Sequence, residues 1–161
     1  MDIYDYAMQM EKDGEGYYRD GAARATNKGL KLILTMLADA EVKHYDIFKQ
    51  MKENLPVRVG DATTLQDVKN IFVKMREEGD LQGVSVTEAD LYRKAQEIEK
   101  KSEDFYLKEA GEVADAAQRE VLLAVAKEEN KHYFILDQII EFVSRPDHWL
   151  ENAEFYHLEE Y

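Results

Sequence analysis

Apolar residues recur every three or four positions along most of the 161-residue chain, the period of a helix, and only Pro56 and Pro146 could break it. The first run sets Ile3, Ala7, Met10, Gly14, Tyr17, Gly21 and Ala25 on one face. It predicts a helix from Asp2, as N-cap, to about Ala25, before a tight turn at Asn27 and Gly29. Ile33, Leu37, Ala40, His44, Ile47 and Met51 predict a second helix from about Leu30 to Glu53, stopped by Asn54-Leu55-Pro56. Thr87 with Asp90 three residues later resembles a capping box and opens a third helix to about Val113; Asp115 caps a fourth that runs to Arg145-Pro146. Two helical hairpins, 1–54 and 87–145, are therefore expected, joined by a crossover over 55–86. That crossover is too long for a bare loop, and Leu65, Val68, Ile71, Phe72 and Met75 predict a short helix at 64–78 within it. The tail, 146–161, offers Trp149, Phe155 and Leu158 for docking.

Two hairpins with one long crossover are the connectivity of a ferritin-like four-helix bundle, so the expected fold is all-α and a single domain over 1–161. With 45% apolar and 34% charged residues the chain reads as soluble and globular. A net charge of −13 repels a phosphate backbone or an anionic membrane, so neither nucleic acid nor membrane is an expected partner. There is no cysteine, which excludes disulfides, Cys-ligated zinc and thiolate iron centres and leaves oxygen and nitrogen as metal ligands. The opening MDIYDYAMQM has neither a basic leader nor an apolar run, and the expected location is cytoplasmic.

Shifted by 88 positions, residues 7–48 align without a gap on 95–136, with 13 of 42 pairs identical, against about two or three expected from composition. The recurring pairs include Ala7/Ala95, Glu11/Glu99, Glu15/Glu103, Tyr18/Tyr106, Ala22/Ala110, Glu41/Glu129, His44/His132 and Tyr45/Tyr133. Between them, 23–36 and 111–124 match only at Leu34/Leu122. A repeat kept for packing alone would keep its apolar positions best; this one keeps polar residues.

Glu41 and His44, at i and i+3, share a helix face, as do Glu129 and His132, so each pair can hold one metal. Glu11 and Glu99 lie in or beside the apolar stripes of their helices and should point inward. Four inward carboxylates and two imidazoles are costly in a dry core. Two divalent cations carry +4 and offset the four glutamates, and this ligand chemistry suits iron, manganese or zinc. One Glu from each of two helices with Glu-x-x-His from each of the other two is the ligand set of ferritin-like di-iron and di-manganese carboxylate proteins.

On these residues, with a Glu thirty positions ahead of each Glu-x-x-His and a Tyr seven after that Glu, residues 1–143 resemble the ferritin-like erythrin domain of the rubrerythrin family. The resemblance implies Glu11, Glu41, His44, Glu99, Glu129 and His132 as ligands of two iron ions, with Glu41 and Glu129 bridging. It implies Tyr18 and Tyr106 as tyrosines that hydrogen-bond ligand carboxylates. The chain departs from the family in two ways. Ser102 stands where typical members carry a further glutamate, and no cysteine is present for a rubredoxin domain.

The implied function is reduction of hydrogen peroxide, using electrons from an external donor such as a rubredoxin, in a small assembly such as a homodimer. Two metals about 3.5–4 Å apart suit a two-electron step. The alternatives are a ferroxidase or iron-storage protein acting with dioxygen, and a metal-stabilised bundle without turnover. A single Glu-x-x-His is more often a surface ion pair than a ligand; two copies at a fixed offset reverse that. Glu128 could compete with Glu129 for the turn beside His132, but its repeat partner is Ala40. Glu15 and Glu103 are left outside the ligand set, Glu97 and His148 are read as surface residues, and Glu151, Glu154 and His157 as an adventitious group at most.

Overall fold

In the computed structural model, which describes residues 2–60, 65–79 and 82–151, six α-helices lie among the described residues. Helix α1 (Ile3–Arg24) starts where the Asp2 carboxylate accepts the N–H groups of Tyr4 and Asp5, both at 2.8 Å, satisfying donors that the first turn leaves unpaired. Helix α2 (Lys28–Lys52) begins two residues before the expected Leu30. Asn27 is its N-cap, accepting from the Leu30 N–H at 3.0 Å, and Gly29 lies inside the first turn instead of making a loop. The glycine serves packing: a Cβ on Gly29 would fall 2.2 Å from the sulfur of Met75, so its absence permits close approach of the crossover. As expected, α2 stops at Asn54, which takes φ 58° while the N–H groups of Asn54 and Leu55 return to the carbonyls of Met51 and Gln50.

The crossover holds α3 (Leu65–Glu78), close to the predicted 64–78. The Thr87–Asp90 capping box does not form. Ser85 instead accepts from the Thr87 N–H at 3.3 Å and caps a 3₁₀ turn, Val86–Glu88, that leads directly into α4 (Ala89–Glu112). Asp115 caps α5 (Ala116–Ser144) through the N–H groups of Ala117 and Gln118. Pro146 ends α5 but also opens α6 (Pro146–Glu151), since a first-turn proline lacks only an N–H that would be unpaired anyway. From α6, Trp149 is buried against Phe142 and Phe72, with ring centroids 4.8 and 5.6 Å apart. Phe155 and Leu158, the other expected docking residues, lie outside the described residues.

The main helices form a ferritin-like bundle in which α1 packs on α2 and α4 on α5. Tyr18 reaches Glu99 while Tyr106 reaches Glu11, so α1 and α4 run antiparallel. His44 with Glu129 and His132 with Glu41 show the same for α2 and α5. Helices α2 and α4 consequently point the same way, and the chain must travel the length of the bundle to pass between them. At 1.5 Å per helical residue a helix of this size is about 35 Å long, which is why the crossover cannot be short. Apolar burial divides into two clusters. One, around Ile33, Leu37, Phe72, Ile139, Phe142 and Trp149, packs the end where α3 and α6 dock. The other, around Ala7, Phe48, Met51, Tyr106 and Val125, packs the opposite end. A layer of buried charged residues lies along the same helices between them. Among the described residues, no helix is long and apolar enough to cross a membrane.

Candidate metal centre

All six residues expected to bind metal meet in that layer, on four different helices. Glu11 and Glu99 come from α1 and α4, Glu41 and His44 from α2, Glu129 and His132 from α5, and none is more than 3% exposed. They form two overlapping groups: Glu11, Glu41, His44 and Glu129 in one, Glu41, Glu99, Glu129 and His132 in the other. Within each group one ligand atom per residue lies within 4.8 Å of every other. Glu41 and Glu129 belong to both groups, the position expected of bridges. The imidazoles of His44 and His132 lie nearly parallel, 19° between planes, with centroids 5.9 Å apart.

The spacing is that of groups gathered around shared points more than of groups bonded to each other. His44 Nδ1 lies 2.8 Å from Glu129 Oε1 and 3.5 Å from Glu11 Oε2, and His132 Nδ1 lies 3.3 Å from Glu99 Oε1 and 3.5 Å from Glu41 Oε1. Yet Glu11 Oε2, both nitrogens of His44, Glu99 Oε2 and Glu129 Oε1 are buried without an aligned hydrogen bond. Leaving such atoms unsatisfied costs about 1–3 kcal/mol each, and more when charged. Carboxylate oxygens and imidazole nitrogens converging in this way fit a pair of divalent cations.

Two tyrosines orient the outer carboxylates, and they do so crosswise. Tyr18 of α1 donates to Glu99 Oε1 of α4, and Tyr106 of α4 donates to Glu11 Oε1 of α1 at 2.6 Å. The sequence places each tyrosine two turns beyond the glutamate of its own helix; antiparallel packing delivers it to the glutamate of the other. Burial, followed by the charge of the carboxylate it serves, pushes both phenols well above their ordinary value, so they remain donors.

The four carboxyls separate into two kinds. Burial pushes Glu41 and Glu129 well above the carboxylate range, reinforced for Glu41 by Glu11 and Glu129 and for Glu129 by Glu11 and Glu99. For Glu99 burial acts the same way but is outweighed by His132, Glu129 and the Tyr18 hydroxyl, which bring it down to about 2. Glu11 is likewise held below its ordinary value, against burial, by Glu41, His44 and Tyr106. Burial alone would lower His132; the charge of Glu99 raises it. The shared carboxyls are thus shifted toward the protonated form and the outer pair toward the carboxylate.

Neighbouring residues the sequence left open fall outside both groups. Glu15 pairs with Arg19, Glu103 with Lys100 and Glu128 with Lys131, at 3.1, 3.2 and 3.1 Å, although Glu103 and Glu128 are themselves buried. Glu97 and His148 are exposed, and the side chains of Glu151, Glu154 and His157 are outside the description. Ser102 is buried and belongs to neither group. Sequence reasoning missed the role of Gly14, where a Cβ would stand 3.2 Å from Glu41 Oε2 and 3.3 Å from its carboxyl carbon. Its signal was present: the small residue one turn beyond Glu11 recurs, as Ser102, one turn beyond Glu99.

No curated protein and no solved structure gives a significant match to the chain. A sequence model of the rubrerythrin family matches residues 2–140, the span that contains all six clustered residues and both tyrosines. With the family's ferritin-like fold and a buried carboxylate–histidine cluster that fits a di-iron protein, the chain belongs to the rubrerythrin family.

Proposed function

We propose that the chain holds two iron ions and reduces hydrogen peroxide to water with electrons from an external donor. The observation that carries this reading is the pair of overlapping four-residue groups sharing Glu41 and Glu129. Glu11 and His44 complete the holding set of one ion, Glu99 and His132 that of the other. When bound, an iron pair supplies two one-electron changes, matching the two electrons peroxide takes up. Tyr18 and Tyr106 fix the outer carboxylates by donating to them, as partners beyond the ligands do at metal sites generally. The apolar clusters at either end limit bulk water, so charges in the layer act at low dielectric. These 161 residues carry no cysteine, so electrons come from outside them, and the proposed source is a rubredoxin-like protein acting on a homodimer.

The test is stopped-flow oxidation of the anaerobically reduced, iron-loaded protein by hydrogen peroxide and, separately, by dioxygen, with native mass measurement. Peroxide should react faster, a single turnover should occur without donor, and a rubredoxin-like donor with its reductase should sustain turnover. The expected mass is a dimer with two irons per chain. Faster reaction with dioxygen, a large cage and iron uptake far beyond two per chain would overturn the reading in favour of storage.

A further inference from the structure

The internal repeat copies the six clustered residues and their tyrosines faithfully, but not the position before each tyrosine, which is Tyr17 in the first half and Phe105 in the second. Both neighbours make the same kind of contact. Tyr17 meets Tyr18 edge-on at 6.5 Å between centroids and 81° between planes, and Phe105 meets Tyr106 at 5.7 Å and 70°. Tyr18 and Tyr106 are each hydrogen-bonded to an outer carboxylate. Tyr17 is half-buried and lines a cleft of about 190 Å³ between α1 and α4, shared with Tyr18, Tyr92 and Arg24 and open to solvent. Its hydroxyl donates to the Leu91 carbonyl at 2.6 Å, which fixes the ring at that cleft. On the other side the half-exposed Tyr6 packs on Phe105 at 4.8 Å, so a phenylalanine stands between the surface tyrosine and Tyr106. A phenol can lose an electron and a proton together to become a phenoxyl radical; a phenyl ring has no such proton and is far harder to oxidise.

The geometry points to Tyr18 and Tyr17 as a one-sided relay that carries oxidising equivalents from the metal centre to the α1–α4 cleft when the external donor is exhausted. The relay rests on the peroxide-reducing reading above. Hydrogen peroxide takes two electrons and two protons to become two waters. With one electron left at the metals, the second is drawn through Tyr18 from Tyr17. Tyr17 loses its phenolic proton to solvent, two protons from solvent complete the waters, and a neutral phenoxyl radical remains on Tyr17. One electron and one proton from a surface reductant restore it. The equivalent path from Tyr106 is closed at Phe105.

The experiment treats iron-loaded protein, reduced by one electron per metal pair, with hydrogen peroxide, and follows it by freeze-quench electron paramagnetic resonance. A parallel sample receives a nitroso spin trap and is mapped by peptide mass spectrometry. A tyrosyl signal that narrows on ring deuteration of tyrosine is expected, with the trap adduct on Tyr17. Tyr17→Phe should remove the adduct, while Tyr6→Phe should leave it in place. Peroxide consumption with no tyrosyl signal, or an adduct unchanged in Tyr17→Phe, overturns the relay alone. If peroxide is not consumed by the reduced protein, the functional reading and the relay fall together.

Discussion

Filling the site with a redox-inert divalent cation should expel protons, and the structure sets the sign and the groups that supply them. Burial and the neighbouring carboxylates raise Glu41 and Glu129 well above the usual range, which shifts both toward the protonated form in the metal-free protein. Glu11 and Glu99 are held below the ordinary carboxylate value and contribute least. Glu99 also raises His132, against the effect of burial, and so shifts it toward its protonated form. Ligands bind metal deprotonated, so zinc binding should release protons, and more of them as the pH falls. The sign follows: released protons compete with the metal, so the binding constant should fall on acidification, by about tenfold per pH unit for each proton released. The assay is titration calorimetry with zinc in buffers of different ionisation enthalpy, where the slope of observed against buffer enthalpy counts the protons. A slope of zero, or net proton uptake, would refute the raised shared carboxyls.

Chelating the metals should lower the melting temperature, since ligand held at about a thousand times Kd contributes roughly 4 kcal/mol; an unchanged transition in demonstrably metal-free protein would contradict this. A carboxyl whose folded value lies above its unfolded one loses stability for the fold as pH rises from the unfolded value through the folded one. Metal-free Glu41→Gln/Glu129→Gln protein should therefore melt above metal-free wild type at pH 8, with the gap closing near pH 4, and equal curves at both pH values would defeat the argument. Gly14→Ala should weaken zinc binding with little change in metal-free stability, because its methyl group crowds the Glu41 carboxyl, as calorimetry on the variant would show. Trp149→Ala should cost about 3–5 kcal/mol in denaturant unfolding by emptying the contact between Phe72 and Phe142.

The bundle and its central layer were legible in the chain because a helix repeats at a fixed period and because the duplication marks polar residues that packing does not require. Glu41 and His44 could be placed on one face by counting, and the repeat could choose Glu129 over Glu128. What counting could not supply was set by contacts across helices. Asn27 caps α2 and so sets its start, and Gly29 serves the close approach of Met75 instead of a turn. Ser85, one position before the 3₁₀ turn, does the work expected of Thr87. The crossing of Tyr18 to Glu99 and Tyr106 to Glu11 follows from the direction of α4, which no local pattern in α1 encodes. The upward shift of Glu41 and Glu129 depends on burial and on carboxyls brought together from distant parts of the chain.

Neither hairpin contains a whole site. The first supplies Glu11, Glu41 and His44 to one group but only Glu41 to the other, and the second mirrors it with Glu99, Glu129 and His132 against Glu129 alone. Parting the hairpins strips one group to three residues and the other to three at the same instant, and it breaks both tyrosine bonds as it does so. Loss of the two proposed ions would thereby be tied to a single motion. Fraying at the helix ends leaves the cluster intact, while breathing between hairpins opens both positions together, so the dissociation of the second ion should follow the first without a long-lived half-filled state.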